Sequence, residues 1–243
     1  MSTSLNIATV QCLAIQGHPN KVVSLICKTL EQAEAENIDI ICFPECYLQG
    51  YYHDKESIRK NAISLSSVEF ASVLDRLKHY RPTIILGLIE ERRGKILNTA
   101  VVIEKGKVIG SYNKVHLNET KYTAGKRCPV FRKNNITYGI NICNDANYPD
   151  SARKLMSKGA QVIFYPLNNL LPIKVADEWR TKGIETMIER AKENNCWVIS
   201  SDVIYRGKEQ KSYGCTAIVD PNGKVIKRVP EFKEGLISHS IVI

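Results

Sequence analysis

Hydrophobic periodicity in the first third of the chain constrains the fold more than any other feature, because it switches repeatedly between the period of a strand and that of a helix. Leu5–Cys12 is a continuous apolar run of strand length. Lys21–Asn37, which Asn20 can cap, carries Val22, Val23, Leu25, Ile26, Leu30 and Ala33 on one stripe. Ile38–Phe43 is strand-like again, Ser66–His79 has helical spacing through Val68, Phe70, Val73, Leu74 and Leu77, and Thr83–Ile89 is a further apolar strand. A chain that alternates in this way builds a sheet covered by helices, an α/β fold.

The remainder keeps the alternation and adds hairpins. Asn98–Ile103 and Val108–Tyr112 flank the turn Glu104–Lys105–Gly106–Lys107. Thr137–Cys143 reads as a strand, followed by a helix over Asp150–Lys158, a strand at Gln161–Tyr165, a loop with Pro166 and Asn168–Asn169, and a long helix near Glu178–Asn194. Cys196–Ser201, Gly214–Val219 and Leu236–Val242 supply further strands, with a strong turn at Asp220–Pro221–Asn222–Gly223. So many strands suit two stacked sheets. No compositional break, repeat or low-complexity linker divides the chain, so 1–243 is expected to form one domain.

Several chemically useful side chains fall at the ends of these strands, where α/β folds place their chemistry. Glu45 follows the strand that stops at Phe43–Pro44, and Lys114 follows the second arm of the hairpin. Tyr138, Ile140 and Ile142 alternate with Gly139, Asn141 and Cys143, which puts Cys143 at a strand's end on its more polar face, with Pro149 placed to open a helix. A thiol is a weak nucleophile until it is deprotonated, so a carboxylate that takes its proton and a cation nearby are the groups it needs.

Composition narrows the alternatives. The eight cysteines contain no CxxC pair, which argues against a disulfide framework and for reduced thiols, and Cys42 and Cys46 lack the further ligands a zinc site requires. The formal net charge of +9 is spread along the chain rather than clustered with aromatics, so a nucleic-acid partner is not expected. Glu90–Glu91–Arg92–Arg93 reads as solvated surface. No apolar run has the length of a membrane span and the opening residues do not form a signal peptide, so the expected location is the cytoplasm.

Phe43–Pro44–Glu45, Tyr112–Asn113–Lys114–Val115–His116–Leu117 and Gly139–Ile140–Asn141–Ile142–Cys143–Asn144–Asp145 together resemble the signature blocks of the nitrilase superfamily, carbon–nitrogen hydrolases with a Glu-Lys-Cys triad. The likeness extends over nearly the whole chain. Asn98–Thr99–Ala100, Arg190–Ala191–Lys192–Glu193–Asn194, Tyr213–Gly214–Cys215 and Glu234–Gly235–Leu236 resemble further family blocks in the right order. The resemblance implies a four-layer αββα sandwich that commonly pairs into homodimers. It implies Glu45 as general base, Cys143 as nucleophile, and Lys114 with the backbone N–H of Asn144 as the oxyanion site. Glu119 matches a second acidic residue of the family, although Ala124–Gly125 stands where Pro-Gly is common. His116 falls behind the first rank of the site. Tyr51, in the aromatic loop Gly50–His53, and Asn168 are expected at the substrate, whereas Trp179 reads as a packing anchor and Glu193 as a helix-end brace.

The chemistry implied is cleavage of a non-peptide C–N bond in a small linear amide or N-carbamoyl amine through a thioester, releasing ammonia, with no metal or organic cofactor required. Ala146–Asn147 replaces the arginine pair with which carbamoylases of amino acids follow Asn-Asp. The chain ends soon after Gly235–Ile243, without the extension of longer members, which points away from a nitrilase. Acyl transfer to an amine, and a catalytically silent protein that binds an anionic partner, remain the alternatives at this level.

Overall fold

The computed structural model describes residues 4–118 and 120–242, so Glu119 lies outside the described residues. The chain opens with strand β1 (Ser4–Leu13), helix α1 (Pro19–Ala35), β2 (Ile40–Cys42), α2 (Lys55–Asn61), α3 (Val68–Leu77) and β3 (Thr83–Arg92). Next come β4 (Lys95–Glu104), β5 (Lys107–Asn113), β6 (Val130–Lys133) and β7 (Ile136–Ile140), then a 3₁₀ turn at Cys143–Asn147 and α4 (Pro149–Met156). The last part holds β8 (Val162–Pro166), β9 (Leu171–Pro172), α5 (Ile173–Asn194), β10 (Trp197–Arg206), β11 (Gln210–Ser212), β12 (Ala217–Val219), β13 (Val225–Arg228) and β14 (Gly235–Val242).

The strands order as β5-β4-β3-β2-β1-β10-β8-β7-β6. The central pairs β3/β2, β2/β1, β1/β10, β10/β8 and β8/β7 are parallel, while β3/β4/β5 and β6/β7 are antiparallel hairpins at the two ends. The two halves meet over a short length. β14 covers one edge of β1 from Ser4 to Gln11, and β10 pairs with β1 only at Gln11–Leu13, opposite Asp202–Ile204. Beyond this junction the halves diverge and lie over one another.

The core shows the result. One cluster buries α1 and α3 residues such as Ile26, Leu30 and Phe70 against Ile41, Leu86 and Val101 of the first half. A second places Ile7, Ile40, Ile85 and Val102 against Tyr138, Ile140, Phe164 and Ile199, so the inner faces of the two halves pack together. A third buries Ala152 and Leu155 of α4 and Met187 and Ala191 of α5 against Ile163 and Val198. These clusters correspond to a helix–sheet–sheet–helix order. Period 2 explains the division, since Tyr138, Ile140 and Ile142 face the other half while Gly139 faces Leu155.

The structure differs from the sequence reading in several places. Pro19, at the first helical position, opens α1, and His18 rather than Asn20 holds the N-cap position. Helix α2 has no counterpart in the sequence reading because Ile58 is its one buried residue, which leaves no periodicity to see; its cap is Asp54, which accepts from the Ser57 N–H at 2.7 Å. Strand β6 follows from a tight Asn134–Asn135 turn in which both residues have positive φ, at 48° and 64°. Strand β7 stops at Ile140, short of Cys143, and α5 begins at Ile173, ahead of Glu178. No helix among the described residues is long and apolar enough to cross a membrane.

Phe164 is fully buried between the sheet halves, with its ring edge-on to Tyr138 at a centroid distance of 5.6 Å. Phe164→Ala is expected to lower unfolding free energy by about 3–5 kcal/mol, measured by urea denaturation.

Candidate active site

Glu45 is delivered by a tight turn after β2. Its N–H donates to the Leu167 carbonyl at 3.0 Å, and the turn presses flat against β3 at Gly87. A Cβ on Gly87 would lie 2.2 Å from the Pro44 carbonyl oxygen and 2.8 Å from Glu45 Cα, so only glycine admits this approach. Glu45 is buried. Its Oε1 accepts from Lys114 Nζ and from Asn98 Nδ2, each at 2.7 Å, while Oε2 has no hydrogen-bond partner among the described residues.

Lys114 follows β5, and its backbone continues the sheet, with its N–H donating to the Asn98 carbonyl at 2.9 Å. Gly125 closes over this strand end; a Cβ there would lie 2.1 Å from the Asn113 carbonyl oxygen. Burial opposes the charge of Lys114, but the negative charge of Glu45 and its hydrogen bond outweigh it and hold the ammonium above the usual lysine range. A hydrogen-bonded network runs from the core beside the pair out to the surface. Thr99 Oγ1 donates to Glu90 Oε2 at 2.8 Å, Asn113 Nδ2 donates to Thr99 Oγ1 at 2.8 Å, and Arg92 donates to Asn113 Oδ1 at 2.7 Å. Glu90 is therefore a core residue, not the solvated charge that its neighbours in sequence suggested.

Cys143 begins the 3₁₀ turn with φ of 44°, a conformation that L-residues avoid and that the surroundings must hold in place. Asp145 supplies the restraint. Its Oδ2 accepts from the Ile142 N–H at 2.9 Å and the Tyr112 hydroxyl at 2.7 Å, and its Oδ1 accepts from the His116 N–H at 2.8 Å. One carboxylate thus ties the cysteine turn to the segment that carries Lys114. From the other side, Arg190 donates to the Ala146 carbonyl at 2.9 Å and is itself held by Glu193 at 2.8 Å, which gives Glu193 the bracing role expected of it. His116 stacks on Tyr148 with centroids 3.8 Å apart, behind the site. Burial, and next the charge of Glu45, raise the Cys143 thiol well above the ordinary cysteine value, while Lys114 and the Asn168 N–H pull the other way. At neutral pH the group is a thiol.

Cys143 and Lys114 open onto a cleft of about 390 Å³. Tyr51 lines it, edge-on to His53 at 5.3 Å, and so do Asn144 and Asn168. The Asn168 side chain is already engaged: Nδ2 donates to the Glu45 carbonyl at 3.1 Å and Oδ1 accepts from the Leu170 N–H at 3.4 Å. Asn144 Nδ2 donates to the His116 carbonyl at 3.2 Å, and Asn147 Nδ2 donates to Asn144 Oδ1 at 2.9 Å. Trp179, read as a packing anchor, forms part of the cleft wall with Leu171, Val175 and Met187. Sequence reasoning passed over Asn98 and Asp145 as working parts of the site, although both lie inside quoted motif blocks; their polar side chains at strand-end positions were the available signal. No group of His, Cys, Asp and Glu suited to a metal ion occurs among the described residues. Burial pushes Cys12, Cys196 and Cys215 up to about 12, which leaves them inert.

Comparison with known proteins gives the family and the fold. The family model described as carbon-nitrogen hydrolase matches residues 6–243. The chain is 28% identical to a probable nitrilase of Schizosaccharomyces pombe over 97% of its own length and 88% of the relative's. It is 26% identical to a 2-oxoglutaramate amidase of Bacillus subtilis, covering 90% of this chain and 85% of that one. An amidase from Nesterenkonia sp. superposes with a TM-score of 0.84 at 19% identity, covering 99% and 91% of the two chains, and carries the same fold.

Gly87→Ala is expected to force the Glu45 turn off β3. Overpacking of this kind costs about 1–3 kcal/mol, to be read by urea unfolding of the variant beside the wild type.

Proposed function

Because the chain belongs to the carbon–nitrogen hydrolase family, we propose that it is an amidase in which Cys143, Glu45 and Lys114 hydrolyse a small uncharged amide. The observation that carries this reading is the buried Glu45–Lys114 pair, 2.7 Å apart, beside the Cys143 thiol at the base of the cleft. Since burial keeps Cys143 protonated, its proton must leave as the sulfur attacks, and Glu45 Oε2 is the oxygen with no other partner among the described residues. Attack on the carbonyl carbon forms a C–S bond and puts negative charge on the carbonyl oxygen. Lys114 and the Asn144 N–H stabilise that charge, each donor being worth about 3–4 kcal/mol in oxyanion sites. The C–N bond then breaks, Glu45 returns its proton to the departing ammonia, and a thioester remains on Cys143. Water, deprotonated by the same carboxylate, attacks the thioester; the acid leaves and the thiol is restored.

The cleft supports an uncharged substrate. Among its described lining residues the basic groups are Lys114, committed to Glu45, and His53. Amide side chains from Asn118, Asn144, Asn147 and Asn169 and an apolar wall from Leu167 to Met187 make up most of the rest. The Bacillus subtilis relative is named for 2-oxoglutaramate, a carboxylate. A substrate of that kind would need a cation, and beyond Lys114, already paired with Glu45, the described walls offer only the imidazole of His53, while Ala146–Asn147 offers none where carbamoylases carry arginine.

An ammonia-release screen over uncharged primary amides, acidic amides, N-carbamoyl amines and nitriles tests the reading. Uncharged amides should react fastest and Cys143→Ala should release nothing; a protein that releases ammonia from none of them is not this hydrolase. Added hydroxylamine separates water from amine as the acyl acceptor. Glu45→Gln should cost about 10²–10⁴ in kcat. The same variant should lower the thiol's pKa, because removing the carboxylate leaves the Lys114 charge unopposed, and thiolate absorbance against pH reads that shift.

A further inference from the structure

The corner that leaves β8 at Leu167–Leu170 touches the backbone of Glu45 and the sulfur of Cys143. The Leu167 carbonyl accepts from the Glu45 N–H at 3.0 Å, and the Leu167 N–H donates to the Ser201 carbonyl of β10 at 2.7 Å. Asn168 donates its side-chain amide to the Glu45 carbonyl and turns its backbone N–H toward the Cys143 sulfur, where it favours the thiolate. Beyond Leu167 the corner has no regular structure and no ladder to hold it at this precision.

Asp202 of β10 supplies the hold. It is fully buried and outside the main cleft. Its Oδ1 accepts from the Asn169 N–H at 3.0 Å and the Val203 N–H at 2.8 Å, and its Oδ2 accepts from Asn169 Nδ2 at 2.7 Å. The Cys215 N–H adds a further bond. The titratable groups facing Asp202 are the Cys143 and Cys215 thiols, with Arg180 and Tyr213 across a small adjoining cavity. Burial lifts its carboxyl to about 6 against the pull of these donors. A buried carboxylate without a cation is costly. An amide of the same shape would avoid that cost, but its nitrogen could not accept from Asn169 Nδ2.

We propose that Asp202 is a positioning residue for hydrolysis, which grips both donors of Asn169 and so sets Asn168 against Cys143 and Glu45. The proposal rests on Cys143 as nucleophile and Glu45 as base. It is tested in the full chain with Asp202→Asn, Asn169→Ala and the double variant. Iodoacetamide alkylation of Cys143, followed on its own peptide by mass spectrometry, needs no substrate; kcat/KM on the best amide is measured beside it. Each single variant should slow both by about tenfold, and the double variant should be no slower than the slower single, because both act through one pair of bonds. If Asp202→Asn lowers only the melting temperature and leaves alkylation within about twofold, or if the losses multiply in the double variant, Asp202 is structural and the proposal fails. Asn169 is partly exposed, so Asn169→Ala supplies the test from the other partner should Asp202→Asn not fold. A protein that hydrolyses no amide removes the hydrolase reading, and the alkylation pattern then decides on Asp202 alone.

Discussion

The Glu45–Lys114 ion pair is buried at both ends, and its 2.7 Å contact is the interaction on which the rest of the site depends. Removing two charges from water costs several kcal/mol per ion, and their attraction repays this only with good geometry and further hydrogen bonds. Asn98 provides both conditions. Its carbonyl takes the Lys114 N–H and its side chain donates to Glu45 Oε1, so one residue of β4 fixes the lysine's backbone and the carboxylate's rotamer together. The pair therefore closes only when β2, β3, β4 and β5 are in register, and the Glu90 network below holds the same strand ends.

Cys143 comes from the other half of the sheet. Its side chain packs on both the inter-sheet cluster and the cluster beneath α4 and α5, which places it where the halves meet. Asp145 joins it across that seam, bonding the cysteine turn to Tyr112 and His116 of the lysine's segment. Fold and site are thus coupled. The positive φ at Cys143 is a local cost of about 1–3 kcal/mol that these bonds offset, and the same bonds keep the thiol from relaxing away from Glu45.

Burial is the larger cause of the raised thiol and works against the ammonium, but the charge of Glu45 raises both. In a low-dielectric pocket the charges of Glu45 and Lys114 act strongly on one another and on the Cys143 sulfur, so the carboxylate that opposes ionisation of the sulfur also keeps the lysine cationic.

Much of this was legible in the sequence. The switching hydrophobic period determined an α/β sheet with helices over it, period 2 over Tyr138–Ile142 determined which side chains face the other half, and motif blocks singled out Glu45, Lys114 and Cys143. Local signals carry such features because they depend on neighbours a few residues away. The short α2, the hairpin strand β6 and the burial of Glu90 were not legible, since each depends on partners that no local period records. The closeness of Asn98 to Glu45, the seam bonds of Asp145, the place of Trp179 in the cleft wall and the grip of Asp202 on Asn169 were decided by tertiary structure alone. Sequence states which groups a chain owns, but which of them share a low-dielectric pocket is set by the register of strands far apart in the chain.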